Sequence, residues 1–185
     1  MPIEVTPTEI EGVFIIEPRR FGDERGWFCE TYSSRDFAAA GIDVEFVQDN
    51  HAFSAEPNTV RGLHFQAPPS AQSKLLRVTH GSVLDVAVDI RRGSPSYGRH
   101  VAVELSGDNA RQLFVPKGIA HGYKTLTPDC HVLYKVDGFY SRDDEGGLLW
   151  NDPALGIDWG GGNDAPVVND RDASWPTLAD LDSPF

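Results

Sequence analysis

Residues 75–90 read LLRVTHGSVLDVAVDI. Two runs rich in Val, Leu and Ile flank His80-Gly81, a turn signal, so the stretch reads as strand, turn, strand. Alternation in the second run puts Leu84, Val86, Val88 and Ile90 on one face and Val83, Asp85, Ala87 and Asp89 on the other. The first face is core, and the second carries two carboxylates among small residues. Asp89 reads as a solvated strand end. Asp85 lies in mid-strand, where an unpaired buried carboxylate is costly, so it needs a partner. A structural hydrogen bond and the orienting of a site residue both meet that need.

The pattern continues outward in both directions. Strand-like runs fall at 12–17, 26–32, 45–52, 60–66, 100–105, 111–116, 121–126 and 131–136, parted by turns such as Arg92-Gly93-Ser94-Pro95 and Ser106-Gly107-Asp108-Asn109. SSRDFAAAGI (33–42) reads as a helix, capped by Ser33 or Ser34 and ended by Gly41, and a second short helix is expected near 175–181. Ten short strands in 185 residues predict an all-β sandwich or barrel with a few short helices. No repeat or linker divides the chain, so residues 1–185 read as one domain, with the barrel core at about 45–150. The tail GGGNDAPVVNDRDASWP (160–176) is expected to lie against the barrel, anchored by Trp159, Val167, Val168 and Trp175.

A net charge of −12 argues against nucleic acid or an anionic membrane as the main partner. It leaves room for a small anion held by a local cluster of Arg and Lys. No run of eighteen apolar residues predicts a membrane span, and MPIEVTPTEIEG lacks the features of a signal peptide. Cys29 and Cys130 make no disulfide framework, and a reducing cytoplasm is the expected home.

Chemistry concentrates in VRGLHFQAPPSAQSK (60–74), which carries Arg61, His64 and Lys74. An imidazole suits base chemistry near neutrality, given a carboxylate to hold its tautomer; Asp85 and Asp172 are the candidates. The turn at Pro68-Pro69 can return the Lys74 ammonium to His64, where it would stabilise charge on an oxygen. Tyr134 and Tyr140 each read, taken alone, as amphipathic core residues. Arg61 and His64 fall on opposite faces under strict alternation, so both reach one pocket only through a bulge, for which Gly62 is the candidate. Arg25, after a Gly-Asp turn, could join Arg61 as a guanidinium pair for a diphosphate.

The stretch FVPKGIAHGY (114–123) contains PxGxxH, which resembles the second motif of the cupins, a jelly-roll family. Metal-binding cupins add an HxH pair and a Glu from an earlier strand. Here His64 is followed by Phe65 and Gln66, leaving His64 and His121 where three or four ligands would be needed. His80, His100 and His131 sit at strand ends or turns, and His51 reads equally as site or surface. No metal is expected.

FGDERGWF, FVQDNHAFS, VRGLHFQ, AQSKLLRV, GSVLDVAVDIRRGSPSYG, RQLFVPKGIAHGY, YKVDGFYS and LLWNDPALGIDW occur in that order. As a set, spanning about residues 10–176, they resemble the dTDP-4-dehydrorhamnose 3,5-epimerase family. The resemblance implies a cupin-like jelly-roll barrel, a homodimer, no cofactor, and a thymidine-diphosphate 4-keto-6-deoxyhexose as substrate. It implies His64 as base held by Asp172, Tyr134 as the opposing acid, and Lys74 beside the C4 oxygen. Arg25, Gln48, Asn50, Arg61, His121, Tyr140 and Glu145 match positions lining the substrate site, and Glu30 matches one contributed across a dimer interface. Arg171 stands where the family commonly has lysine, keeping the charge while changing the hydrogen-bond geometry. The alternatives are an epimerase of C3 or C5 alone, a metal cupin, and a sugar-nucleotide-binding jelly roll without catalysis.

Overall fold

The computed structural model describes residues 3–160 and 165–185. Its strands are β1 (Ile3–Pro7), β2 (Phe14–Pro18), β3 (Arg20–Asp23), β4 (Gly26–Cys29), β5 (Gln48–Ser54), β6 (Val60–Gln66), β7 (Lys74–His80), β8 (Ser82–Asp89), β9 (His100–Ser106), β10 (Gln112–Val115), β11 (Ile119–Thr125), β12 (Cys130–Val136) and β13 (Glu145–Gly147). One sheet runs β1-β2-β10-β7-β12-β5, a second runs β13-β6-β11-β8-β9, and β3-β4 forms a separate hairpin.

The turn at His80-Gly81 does not close a hairpin. It carries the chain from one sheet to the other, since β7 pairs with β10 and β12 while β8 pairs with β9 and β11. From β5 to β8, and again from β9 to β13, successive strands alternate between the sheets. That alternation is how a jelly roll wraps two sheets around one interior.

The inner faces meet in a core built from Leu76, Val78, Val83, Val103, Leu105, Leu113 and Val132. The other face of β8 is buried too: Val86 and Val88 pack with Leu63, Leu148, Leu155 and Trp159, so the C-terminal segment covers this sheet from outside. Both faces of β8 are therefore interior, and neither carboxylate is solvated. Asp89, expected at a solvated strand end, is fully buried and accepts bonds from Arg91, Ser94 and Ser96 at 2.6–2.9 Å. Burial pushes its carboxyl upward, but these donors more than offset that and hold it down at about 2.

The expected helix forms as α1 (Ser34–Ala39), with the Ser33 side chain accepting the Asp36 N–H and Gly41 adopting φ +88° just past the end. Its buried Phe37 packs with Ile16, Leu75 and Phe114 on the outer face of the six-stranded sheet. The second helix is absent: residues 175–181 form turns, and a short 3₁₀ helix occurs instead at Pro153–Leu155. Pro176 lacks an N–H, and in this segment Asp152 Oδ2 takes the Leu178 N–H at 2.6 Å. In the tail, Trp159 is buried, whereas Val167 is anchored by backbone pairing to Thr59, its side chain half exposed. Residues 161–164 of that stretch lie outside the described residues.

Candidate active site

Between the sheets, beside the packed core, lies a cavity of about 330 Å³. How Arg61 and His64 both reach it is decided at one point on β6. His121 on β11 pairs with His64, and Tyr123 pairs with Arg61, so Gly62 and Leu63 together stand opposite the single residue Gly122. This is a bulge, and the extra residue turns Arg61 and His64 to the same side. Gly62 has φ +114°, and a Cβ there would fall 2.6 Å from Gly122 Cα and 2.7 Å from the His121 carbonyl oxygen. Only glycine on both strands permits this approach.

His64 Nε2 lies 2.7 Å from Asp172 Oδ1. The other oxygen, Asp172 Oδ2, accepts the Gly62 N–H at 3.1 Å, so one carboxylate grips both the imidazole and the bulge beneath it. The Asp172 N–H in turn donates to Asn169 Oδ1 at 2.7 Å. Burial raises the Asp172 carboxyl, but the His64 bond, the His64 charge, the Gly62 N–H and Arg171 outweigh it and keep the group below the ordinary carboxylate range.

Directly across the ladder stands a second pair. His121 Nε2 lies 2.8 Å from Asp85 Oδ1, with His121 6 % and Asp85 0 % exposed. The mid-strand carboxylate thus orients a cavity residue, and of the two candidates for His64 only Asp172 reaches it. Asp85 Oδ2 and the Tyr123 hydroxyl have no hydrogen-bond partner among the described residues.

The opposite wall comes from the six-stranded sheet: Gln48 and Asn50 on β5, Lys74 on β7 and Tyr134 on β12. Lys74 Nζ reaches across to the His64 carbonyl oxygen at 3.5 Å. Burial drags its pKa down to about 8, against the opposing pull of Asp85 and Glu145. Burial likewise raises the Tyr134 hydroxyl, only partly countered by Arg61. At the mouth, Glu145 Oε2 accepts from Tyr140 at 3.0 Å and from Arg171 at 2.8 Å. Arg61 donates to Ser54 Oγ and the Phe53 carbonyl.

Of the residues that the resemblance places in the site, all but Arg25 and Glu30 line this cavity. Those two are exposed, at the tip and just past the end of the β3-β4 hairpin. The expected pairing of Arg25 with Arg61 does not form within one chain. Among the described residues the hairpin's strands pair only with each other, and Asp23 takes the Arg25 guanidinium. His51 is also outside the cavity: it meets His131 at 2.8 Å on the exposed face of the six-stranded sheet. Among the described residues, no three His, Cys, Asp or Glu side chains are grouped as a metal site would require.

The family model for dTDP-4-dehydrorhamnose 3,5-epimerase matches residues 7–180. The chain belongs to that family. A dTDP-4-dehydrorhamnose 3,5-epimerase of Shigella flexneri is 46 % identical over 97 % of this chain and 98 % of its own. The crystal structure of the Bacillus anthracis epimerase with TDP and pyrophosphate bound is 46 % identical, with a TM-score of 0.91 over 95 % of this chain and 99 % of its own. That of the Legionella pneumophila dTDP-6-deoxy-D-glucose-3,5-epimerase, in complex with dTDP-4-keto-L-rhamnose, is 40 % identical, with a TM-score of 0.92 over 97 % and 95 %. The expected cupin-like jelly roll is the fold these structures share with the chain.

Tyr123, Gln72 and Asn169, which the sequence patterns do not single out, also line the cavity. Tyr123 was within reach: it stands two residues after His121 on β11, hence on the same face. Burial pushes its hydroxyl up to about 12.

Proposed function

We propose that this protein is an epimerase that inverts C3 and C5 of dTDP-4-dehydro-6-deoxy-D-glucose, giving dTDP-4-dehydro-L-rhamnose. The observation that carries the reading is the convergence on one cavity of the His64–Asp172 pair from one wall and of Lys74 and Tyr134 from the other. Family membership supplies the substrate class.

The hydrogens at C3 and C5 both flank the C4 ketone, so loss of either gives an enolate centred on the same oxygen. His64 donates its Nε2 proton to Asp172, which leaves Nδ1 to accept the carbon-bound proton. The electron pair moves to the C4 oxygen, where the Lys74 ammonium stabilises it. Tyr134, kept protonated by burial, returns a proton to the same carbon from the other face. Exchange with solvent restores His64 and Tyr134, and the cycle repeats at the second carbon. Electrons balance without a redox partner, so the chemistry calls for no cofactor.

A cavity of about 330 Å³ is at the small end for ligand sites and suits the sugar and its nearest phosphate. The nucleoside would extend past the mouth, where Tyr140 is 56 % exposed. The same reading includes a homodimer. The β3-β4 hairpin exposes Trp27 and Phe28 by 60 % and 66 %, an apolar arm suited to a second copy, and it would deliver Arg25 and Glu30 to the partner's site. Two free thiols fit a reducing compartment such as the cytoplasm.

The test is turnover of dTDP-4-keto-6-deoxyglucose in D₂O, read by NMR. Deuterium at both C3 and C5 of a doubly inverted product is expected. Exchange at one carbon only would make it a single-centre epimerase, and binding without exchange would make it a binding module. Tyr134→Phe should retain exchange but lose most inversion; a normal turnover rate would remove Tyr134 from the acid role.

A further inference from the structure

We infer that Trp175 is a positioning residue that fixes the plane of the His64 imidazole. The inference rests on the proposed role of His64 as base. One hydrogen bond, Nε2 to Asp172, pins a point on the ring and a direction, but the ring can still roll about that axis. A second contact is needed to aim Nδ1. Trp175 supplies it: its ring stands edge-to-face with His64, centroids 6.2 Å apart and planes at 74°.

The slot for the indole is made by a missing side chain. Gly147 on β13 is the cross-strand partner of His64 on β6, where a side chain would ordinarily stand beside the imidazole. A Cβ built on Gly147 would fall 2.3 Å from Trp175 Cδ2 and Cε2 and 2.5 Å from Cγ, so the indole lies on the bare glycine. The tail thus provides the neighbour that the sheet omits. It does so from the turn that supplies the carboxylate: Asp172 and Trp175 are three residues apart, and the Ala173 and Ser174 N–H groups close the turn on Asn169 and Arg171. The Leu149 N–H donates to the Pro176 carbonyl at 2.8 Å, tying the segment next to Trp175 to the residues just past β13. Trp175 is not among the residues lining the cavity, and its indole N–H has no partner among the described residues, so it acts through His64 rather than on substrate.

The test compares Trp175→Ala, Trp175→Phe and Gly147→Ala in the full-length protein. Trp175→Ala is expected to lower kcat by roughly tenfold to a hundredfold, with KM within about twofold of the parent, because misaiming a bound base slows the step without weakening binding. Trp175→Phe keeps a flat ring and should restore at least half of the lost kcat on a logarithmic scale. Gly147→Ala displaces the indole while leaving it in the sequence, and should reproduce the kcat loss. ¹⁵N NMR should show the same His64 tautomer in the parent and in Trp175→Ala, because the Asp172 bond sets it, while relaxation of the ring nuclei should report a more mobile imidazole in the variant. A folded Trp175→Ala with parental kcat, or a loss residing in KM, overturns the inference; if that variant does not fold, Gly147→Ala decides by the same criteria. Failure of the parent to exchange C3 or C5 would instead overturn the proposed role of His64, with the comparison of ring mobility still readable.

Discussion

The cavity holds two histidine–carboxylate pairs on adjacent strands, and they are built differently. His121–Asp85 is a product of the sheet alone: β11 and β8 are neighbours, and the pair is buried. His64–Asp172 joins a strand to the C-terminal tail, 108 residues away in the chain, and His64 keeps 24 % of its side chain exposed. Asp172 has a donor for each oxygen, His64 and the Gly62 N–H, whereas one oxygen of Asp85 has no partner among the described residues. A pair that must only hold its place can be closed off inside a sheet. A pair that must pass a proton needs one member accessible and the other fully satisfied. The tail achieves both, because it arrives from outside the sheet and grips the bulge as well as the ring.

The largest effect expected from breaking this contrast is in the histidines. His64→Ala should abolish exchange at both carbons, a loss on the order of 10⁴ in kcat, since it removes the proposed base. His121→Ala should act mainly on KM. Equal losses in kcat would erase the distinction between the pairs.

Lys74 comes next. Lys74→Met should cost on the order of 10² to 10³ in kcat by removing the cation from the enolate oxygen. In the parent, kcat/KM should fall as the pH rises through about 8, where the Lys74 ammonium loses its proton. Its folded-state pKa is lowered from 10.5, so between about 8 and 10.5 the unfolded chain binds the extra proton. The charged lysine therefore costs stability at all pH values below about 8, and that cost disappears as the pH rises toward 10.5. Lys74→Met should accordingly melt at a higher temperature than the parent at pH 7 while being far less active.

The carboxylates sharpen the contrast further. A carboxamide has one acceptor oxygen. Asp172→Asn must present its amide N–H₂ to either His64 or the Gly62 N–H, and should lose roughly 10² in kcat and about 1–3 kcal/mol of stability. Asp85→Asn can turn its single oxygen to His121, the only donor it has among the described residues, and should lose less than about tenfold. Steady-state rates and urea melts of the two variants check this, and a larger loss in Asp85→Asn would invert the assignment.

Much of this was legible beforehand. Alternation separated Asp85 from the Leu84, Val86, Val88 and Ile90 face expected to be core, whereas Val83 and Ala87 on the Asp85 face join the core between the sheets; the impossibility of Arg61 and His64 sharing a face on a regular strand predicted the bulge at Gly62. The Ser33 cap and Gly41 stop located α1. Other features were not legible locally. Asp89 looks like a strand-end carboxylate and is a buried hub, because Arg91, Ser94 and Ser96 fold back onto it. β1, β3 and β13 are too short or too polar to announce themselves, and β13 is recognisable only by its pairing with β6. Arg25 looks like a partner for Arg61, yet it lies at the tip of a hairpin whose aromatic residues are exposed, paired there with Asp23.

The sequence by itself determined most of the strands, the net negative charge and the chemical groups on offer, because those follow from side-chain type and from a period of two. Only the tertiary structure decided which carboxylate meets which imidazole. Strand order and the path of the tail bring together residues a hundred positions apart, and no local pattern encodes that distance.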